Sequence, residues 1–260
     1  IQRNSEVSMK KIVFLILGVM MFFSCKGKSS QDVQGSWITS KVVVDGSQIQ
    51  IFNSTLEISQ TEKNIYKVSG NAGINRFSGE MQIEEGKITS EKERFLKTLM
   101  AGEEHLQEFE NLFLSLITDA QKIELKDGIL IFKNPASKSE IHFMPDITGS
   151  WKISSLFKGS VAQEIAVSDL EIKFTEQPCV FSFSGTSGVN RFFGNVSFKD
   201  GKIYSPENGF ATTRMLGSPE AMAFEELFID ILSNADKFSL KDNLLSFEKS
   251  IDKSVLTFSK

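Results

Sequence analysis

A seven-residue stretch occurs twice in this chain, as Gly73-Ile74-Asn75-Arg76-Phe77-Ser78-Gly79 and as Gly188-Val189-Asn190-Arg191-Phe192-Phe193-Gly194, displaced by 115 positions. Its surroundings recur with it. Gly35-Ser36-Trp37 returns as Gly149-Ser150-Trp151, Met100 as Met215, and Phe109-Glu110 as Phe224-Glu225. A chain duplicated at this period must fold as one supersecondary unit built twice, each copy of ordinary single-domain length. The expected boundaries are 33–145 for repeat 1 and 146–260 for repeat 2, joined only by Pro145-Asp146-Ile147-Thr148. A linker that short favours two units packed against each other.

Within each copy the periodicities point to one helix and several strands. Trp37 to Val42, Leu56-Glu57-Ile58, Tyr66-Lys67-Val68 and Met81-Gln82-Ile83 alternate apolar and polar residues, the signature of half-buried strands. Asp45-Gly46, Glu85-Gly86 and Asp200-Gly201 supply tight turns between antiparallel neighbours. The glycines bounding the Asn-Arg-Phe stretch suit positive φ, and Asn75 tolerates the left-handed region, so the stretch reads first as a backbone device. A helix follows. Ser218-Pro219-Glu220 is a strong start, and Ala221, Phe224, Leu227, Phe228, Ile231 and Leu232 form its apolar stripe. Leu106, Phe109, Leu112, Phe113, Leu116 and Ile117 repeat that stripe in the first copy. Three more strands are expected at 120–126, 128–133 and 139–144, and again at 236–241, 243–249 and 254–259. The resulting class is α+β: two tandem units, each a curved antiparallel sheet or partly open barrel wrapped around one amphipathic helix.

The loop, a Thr-x-Met about twenty residues on and a helix carrying Glu-x-x-Phe resemble the META domain family, also called HslJ-like. The resemblance spans nearly all of both halves. It implies a small domain of the bacterial envelope with no established enzymatic activity. Two departures stand out: where the family has a cysteine after the first loop glycine and another two residues after the methionine, this chain has Ile74 and Gly102, then Val189 and Gly217. Joint replacement in both copies implies that the two positions are neighbours in space. Repeat 2 keeps the family's Thr213-Arg214-Met215, whereas repeat 1 has Thr98-Leu99-Met100, so repeat 2 is the better candidate for binding.

The N-terminus adds an address. Residues 1–8 precede Met9 and read as upstream sequence; Met9-Lys10-Lys11, the apolar run Ile12 to Phe23 and Ser24-Cys25 then resemble a lipoprotein signal peptide with Cys25 as the lipidated residue. The run is too short for a transmembrane helix. The alternative is an ordinary cleaved signal. A diacylglycerol plus an N-acyl chain exceeds the two-signal need for stable anchoring. Residues 25–32 are small and polar, a flexible tether. Lys26, not Asp, follows the cysteine, which in lipoproteins resembling this one implies the outer membrane, and with no acidic run there of the kind used for surface export the periplasmic face is expected.

Charge and cysteine usage narrow the partners. Repeat 1 (31–146) carries 12 basic and 18 acidic residues, net −6, and repeat 2 (147–260) carries 12 and 14, net −2, so nucleic acid is excluded as an expected partner. With Cys25 lipidated only Cys179 is left, no disulfide can form, and alternation with Phe181 and Phe183 makes it a packing residue. The chain has 23 Phe but only 2 Tyr, so its aromatics serve packing more than ligand contact.

No catalytic, metal or cofactor signature emerges. His105 sits among Glu103 and Glu104 as a solvated side chain, and His142 alternates with Ile141 and Phe143 and should face outward. There is no Gly-x-Ser-x-Gly elbow, phosphate loop or His/Cys metal spacing. The candidate polar cluster is Asn75, Arg76 and Glu110 in repeat 1, with Asn190, Arg191, Thr213, Arg214 and Glu225 in repeat 2. Arg76 is expected to pair with Glu110, and Arg191 with Glu225; the other reading gives the arginines to an anionic ligand. The functional expectation is a membrane-tethered, non-catalytic envelope lipoprotein, a binding or envelope-maintenance module with a protein or peptide partner. The alternatives are a hydrolase with a non-sequential site and an inhibitor of a secreted protease. A deep pocket with convergent polar groups and a perturbed titratable residue would favour the enzyme. An exposed apolar patch or an open strand edge would favour the binding module.

Overall fold

The computed structural model describes residues 33–90, 94–205 and 209–260. The anticipated signal segment (1–24), Cys25 and the tether lie outside the described residues.

Repeat 1 runs through β1 (Gly35–Val44), β2 (Ser47–Gln48), β3 (Thr55–Glu62), β4 (Ile65–Asn71), β5 (Arg76–Glu84), β6 (Lys87–Ser90) and β7 (Leu96–Lys97). Helix α1 (Glu104–Thr118) follows, then β8 (Lys122–Lys126), β9 (Ile129–Asn134) and β10 (Ser139–Pro145). Repeat 2 begins with β11 (Gly149–Lys158), β12 (Val161–Ala162), β13 (Ser168–Phe174), β14 (Val180–Ser187), β15 (Arg191–Lys199), β16 (Lys202–Tyr204) and β17 (Ala211–Thr212). It ends with α2 (Pro219–Asn234), β18 (Lys237–Lys241), β19 (Leu244–Lys249) and β20 (Ser254–Ser259).

Among the described residues the strand ladders are antiparallel, and they close in repeat 1. The order β10-β9-β8-β6-β5-β4-β3-β1 returns on itself through pairing of β1 with β10. The narrowest seam is β6 to β8, where Lys87 pairs with Lys122 and the Ile88 and Ile123 amides donate to Gln121 and Gly86 at 3.0 and 2.9 Å. Repeat 2 follows the same path, β16-β15-β14-β13-β11-β20-β19-β18, and stops one ladder short between β16 and β18. Two-residue turns set much of the register: Asp45-Gly46, Glu85-Gly86, Asp127-Gly128, Asp200-Gly201 and Asp242-Asn243 all have positive φ at both positions, matching the twist of a hairpin. Gly70 and Gly185 serve a different need. A side chain on either would collide with a backbone carbonyl of the neighbouring strand, that of Thr55 or Asp169, so the strands can coil this tightly only at glycine.

Each helix plugs its barrel. Phe113 of α1 is fully buried, with its ring 5.5 Å from Phe77 on β5 and 6.1 Å from Phe143 on β10. Phe228 of α2 repeats this against Phe192 and Phe258 at 5.4 and 5.9 Å. The expected stripes are the buried faces, and Ser218 caps α2 by accepting from the Ala221 amide at 3.2 Å. The class holds in part. Two tandem antiparallel units with one helix each are present, and repeat 2 is the partly open barrel expected, whereas repeat 1 is closed and, with helices of only 15 and 16 residues, the fold is mainly β. Each helix buries one face against its barrel and leaves the other exposed.

The duplicated tryptophans tie down the entry to each barrel. Trp37 Nε1 donates to the Val33 carbonyl at 3.1 Å, and Trp151 Nε1 donates to that of Ile147 at 2.9 Å. Ile147, read as linker, is thereby part of the second core. The outer side of repeat 1 also meets repeat 2: Ile38 and Met144 pack into the second core, and Asn53 Nδ2 donates to the Thr175 carbonyl at 2.8 Å. Cys179 lies at this contact, one residue before β14, its thiol directed at the Thr39 carbonyl 3.5 Å away. Burial pushes that thiol up to about 11, which leaves it protonated and unreactive at neutral pH.

Candidate functional site

The duplicated loop owes each of its residues to a separate constraint. Gly188 holds φ at +100°, and a Cβ there would stand 3.2 Å from the Phe224 ring. Phe77 and Phe192 turn inward to the core as second residues of β5 and β15. Strand alternation therefore sends Arg76 and Arg191 outward, and both are exposed. At Gly79 a side chain would run into the Phe95 ring, 2.6 Å from the built Cβ.

The asparagine carries the chemistry of the loop. Asn190 Nδ2 donates to Glu225 Oε1 at 2.9 Å and to the Met215 carbonyl at 3.1 Å; its Oδ1 accepts from the Thr213 hydroxyl and the Met215 amide, each at 2.7 Å. Its backbone amide donates to Glu225 Oε2 at 2.8 Å. Asn75 reproduces the set with Glu110, Met100 and Thr98, at 2.7 to 3.2 Å. All four hydrogen bonds that a side-chain amide can make are thus used inside the fold. Thr213 and Thr98 close the circuit, their hydroxyls accepting from the Arg191 and Arg76 amides at 3.1 and 3.2 Å. The result is a latch that pins the loop and the segment after β7 or β17 to the first turns of the helix.

One expectation fails here. Neither arginine pairs with its helix carboxylate; asparagine does, because a residue next to an inward phenylalanine on a strand cannot itself point inward. Positive φ falls on Gly73 and Gly188, as the glycines suggest, and the asparagines contribute through their side chains. Of the named candidates, the structure brings together Asn75 with Glu110 and Asn190 with Thr213 and Glu225. It leaves Arg76, Arg191 and Arg214 exposed.

The sequence reading also missed Lys97. Its ammonium lies 2.8 Å from Glu110 Oε1 and 3.0 Å from Asn111 Oδ1. Burial drives the Glu110 carboxyl upward, but the Lys97 ammonium, the Asn75 amide and the Asn75 side chain together outweigh it and hold the group below its ordinary value. A folded-state value below the unfolded one gives stability that is complete above about pH 4.3 and is lost as pH falls through the lowered value. Lys97→Met leaves burial less opposed. Acid unfolding of repeat 1, followed by circular dichroism, is expected to begin at higher pH in that variant than in the parent; coincident acid transitions would show that Lys97 does not hold the carboxylate.

Outside the latch, repeat 2 presents an open groove of about 510 Å³ on the outer face of β13, β14 and β15, lined by Asp169, Glu171, Thr186, Arg191 and Phe193 among others. Asp169 is occupied by Thr186, accepting from its amide at 2.7 Å and its hydroxyl at 3.0 Å. Arg191 has no ion pair among the described residues. Apolar side chains stand in water around the loop: Phe193 is 61% exposed, Met215 55%, Leu216 95% and Val167 93%. The histidines lie elsewhere. His105 is exposed beside Glu103, and His142 faces out, 2.8 Å from Glu140. Among the described residues no three His, Cys, Asp or Glu side chains converge as a metal site, and no helix is long and apolar enough to cross a membrane.

The META domain family matches residues 31–148 and again residues 145–260. Among solved structures, a Burkholderia xenovorans protein determined by NMR is similar at 23% identity over 42% of this chain and 79% of its own, with a TM-score of 0.36. A Nostoc punctiforme protein of unknown function from the DUF3598 family aligns over 88% of this chain and 97% of its own at 9% identity and a TM-score of 0.24. No curated protein matches. The match in two copies agrees with the duplication read from the loop, and Ile74 against Gly102 and Val189 against Gly217 are in contact, as the family's cysteine positions imply.

Proposed function

The chain belongs to the META domain family, and from that premise we propose that it is a non-catalytic binding module of the bacterial envelope, tethered through lipid on Cys25 at the periplasmic face of the outer membrane. Its partner is a protein or peptide, engaged by repeat 2. The observation that carries this reading is the cluster of solvent-exposed Phe193, Met215 and Leu216 beside the exposed Arg191. Aromatic, methionine and arginine side chains of this kind are the ones enriched where proteins meet. The buried polar groups of the loop, by contrast, have their hydrogen bonds satisfied internally.

Two measurements test the reading. A photo-cross-linking residue in place of Phe193, in cells, is expected to give one discrete adduct that weakens with Arg191→Glu, and none when placed at Lys253 in the turn between β19 and β20; equal patterns at both positions, or no adduct, would contradict it. For the tether, Cys25→Ala is expected to move the protein from the membrane to the soluble fraction. Intact mass showing an unmodified Cys25 in the parent would end that part of the proposal.

A further inference from the structure

The two repeats share one backbone and one latch but differ in how the latch carboxylate is neutralised. In repeat 1 the Lys97 ammonium is held by Glu110 Oε1 and Asn111 Oδ1. Lys97 reaches them from β7, where its backbone pairs with Phe77. In repeat 2 the equivalent backbone pairing, Phe192 with β17, presents Thr212 instead of lysine. The two acceptor positions are meanwhile Glu225 and Glu226, so the side that lacks the cation carries one carboxylate more. No ion pair reaches Glu225 or Glu226 among the described residues. Among the described residues the donors to Glu225 are neutral, the Asn190 amide and side chain.

Exposure follows the same difference. Glu110, covered by Lys97, is 1% exposed, whereas Glu225 is 8% exposed and is followed by the exposed Glu226. A nearly buried carboxylate without a counter-charge is unfavourable, and the cost falls when a cation is supplied with good hydrogen-bond geometry. Repeat 1 shows which cation this backbone is shaped for: an ammonium at the end of a four-carbon stem, entering beside β7.

We infer that repeat 2 takes a primary alkylammonium from another molecule at Glu225 and Glu226, in the place that Lys97 fills within repeat 1, and that its occupant is a lysine side chain of a polypeptide partner. The inference rests on the reading of repeat 2 as the binding half, and it names the partner chemistry. A flexible side chain reaching over the exposed Thr212 can follow the route of Lys97 while the rest of the partner lies on Phe193 and Met215.

The test uses the full chain, isotope-labelled in detergent micelles, titrated with Nα-acetyl-lysine methylamide, with its Nε-acetylated form, and with ethanolamine. Saturable amide shifts are expected at Thr212, Glu225 and Glu226 with the lysine derivative and not at Lys97 or Glu110. The acetylated form should bind more weakly by on the order of tenfold or more, since a charged hydrogen bond is lost. Thr212→Lys should abolish the response by supplying the ammonium internally, and Lys97→Thr should create a second responding site in repeat 1. Equal response to the acetylated form, a response that survives Thr212→Lys, or no response would overturn the inference. Ethanolamine binding as tightly as the lysine derivative would overturn the lysine occupant. Failure here with a Phe193 adduct still formed would leave the binding module standing and remove only its amine chemistry.

Discussion

Asn190→Ala is expected to destabilise repeat 2 by about 3–5 kcal/mol, far more than the loss of one small polar side chain usually costs. The substitution removes the two N–H donors and the doubly accepting oxygen that join the loop to Glu225, Thr213 and Met215. It leaves Glu225, nearly buried, with only the backbone amide of residue 190. A buried polar group stripped of its partner loses the full cost of desolvation, whereas a surface group does not. Arg191→Ala, one position along, should stay within about 0.5 kcal/mol of the parent because the residue is exposed and has no ion pair among the described residues. Chemical denaturation of the two variants measures both. An arginine variant as damaged as the asparagine variant would mean that the latch has been assigned to the wrong residue.

Val189→Cys with Gly217→Cys is expected to form a disulfide in an oxidising compartment and to add up to about 3–4 kcal/mol, the chain-entropy figure for a loop of this length. A Cβ built on Gly217 lies 3.4 Å from that of Val189, close to the lower end of the 3.5–4.5 Å found across disulfides. Gly217→Cys alone should instead destabilise, because its Cβ would collide with a Val189 methyl group. The native Cys179 should not compete, since it is buried and its thiol is held protonated. Thiol titration and the difference in Tm with and without reductant check the result. Free thiols persisting after oxidation would count against the placement of these positions.

Much of this architecture is legible from the residues, and its limits have physical reasons. The helix stripes, the Ser218 cap and the hairpin turns are local signals, and local geometry satisfies them. The strands expected at 236–241, 243–249 and 254–259 fall within a residue or so of Lys237–Lys241, Leu244–Lys249 and Ser254–Ser259. Ring closure is different, because it depends on a single ladder between β6 and β8 that repeat 2 lacks at β16 and β18, and no local pattern encodes it. The arginine assignment failed for a reason the sequence did contain. Charge complementarity suggested Arg with Glu, but the inward Phe77 and Phe192 already required their neighbours to face water. Asn75 and Asn190, being neutral, gave no electrostatic hint of a partner 35 positions away. Lys97 leaves no mark in the repeat because it does not recur: its signal is the difference at Thr212.

The duplicated loop is a structural latch made by asparagine and glutamate, with its arginine turned to the surface. The most direct measurement is a pair of double-mutant cycles on unfolding free energy, one joining Asn190→Ala with Glu225→Gln and the other joining Arg191→Ala with Glu225→Gln. A coupling of about 1.5–3 kcal/mol is expected in the first cycle and a value indistinguishable from zero in the second. Coupling between Arg191 and Glu225, with none between Asn190 and Glu225, would contradict it.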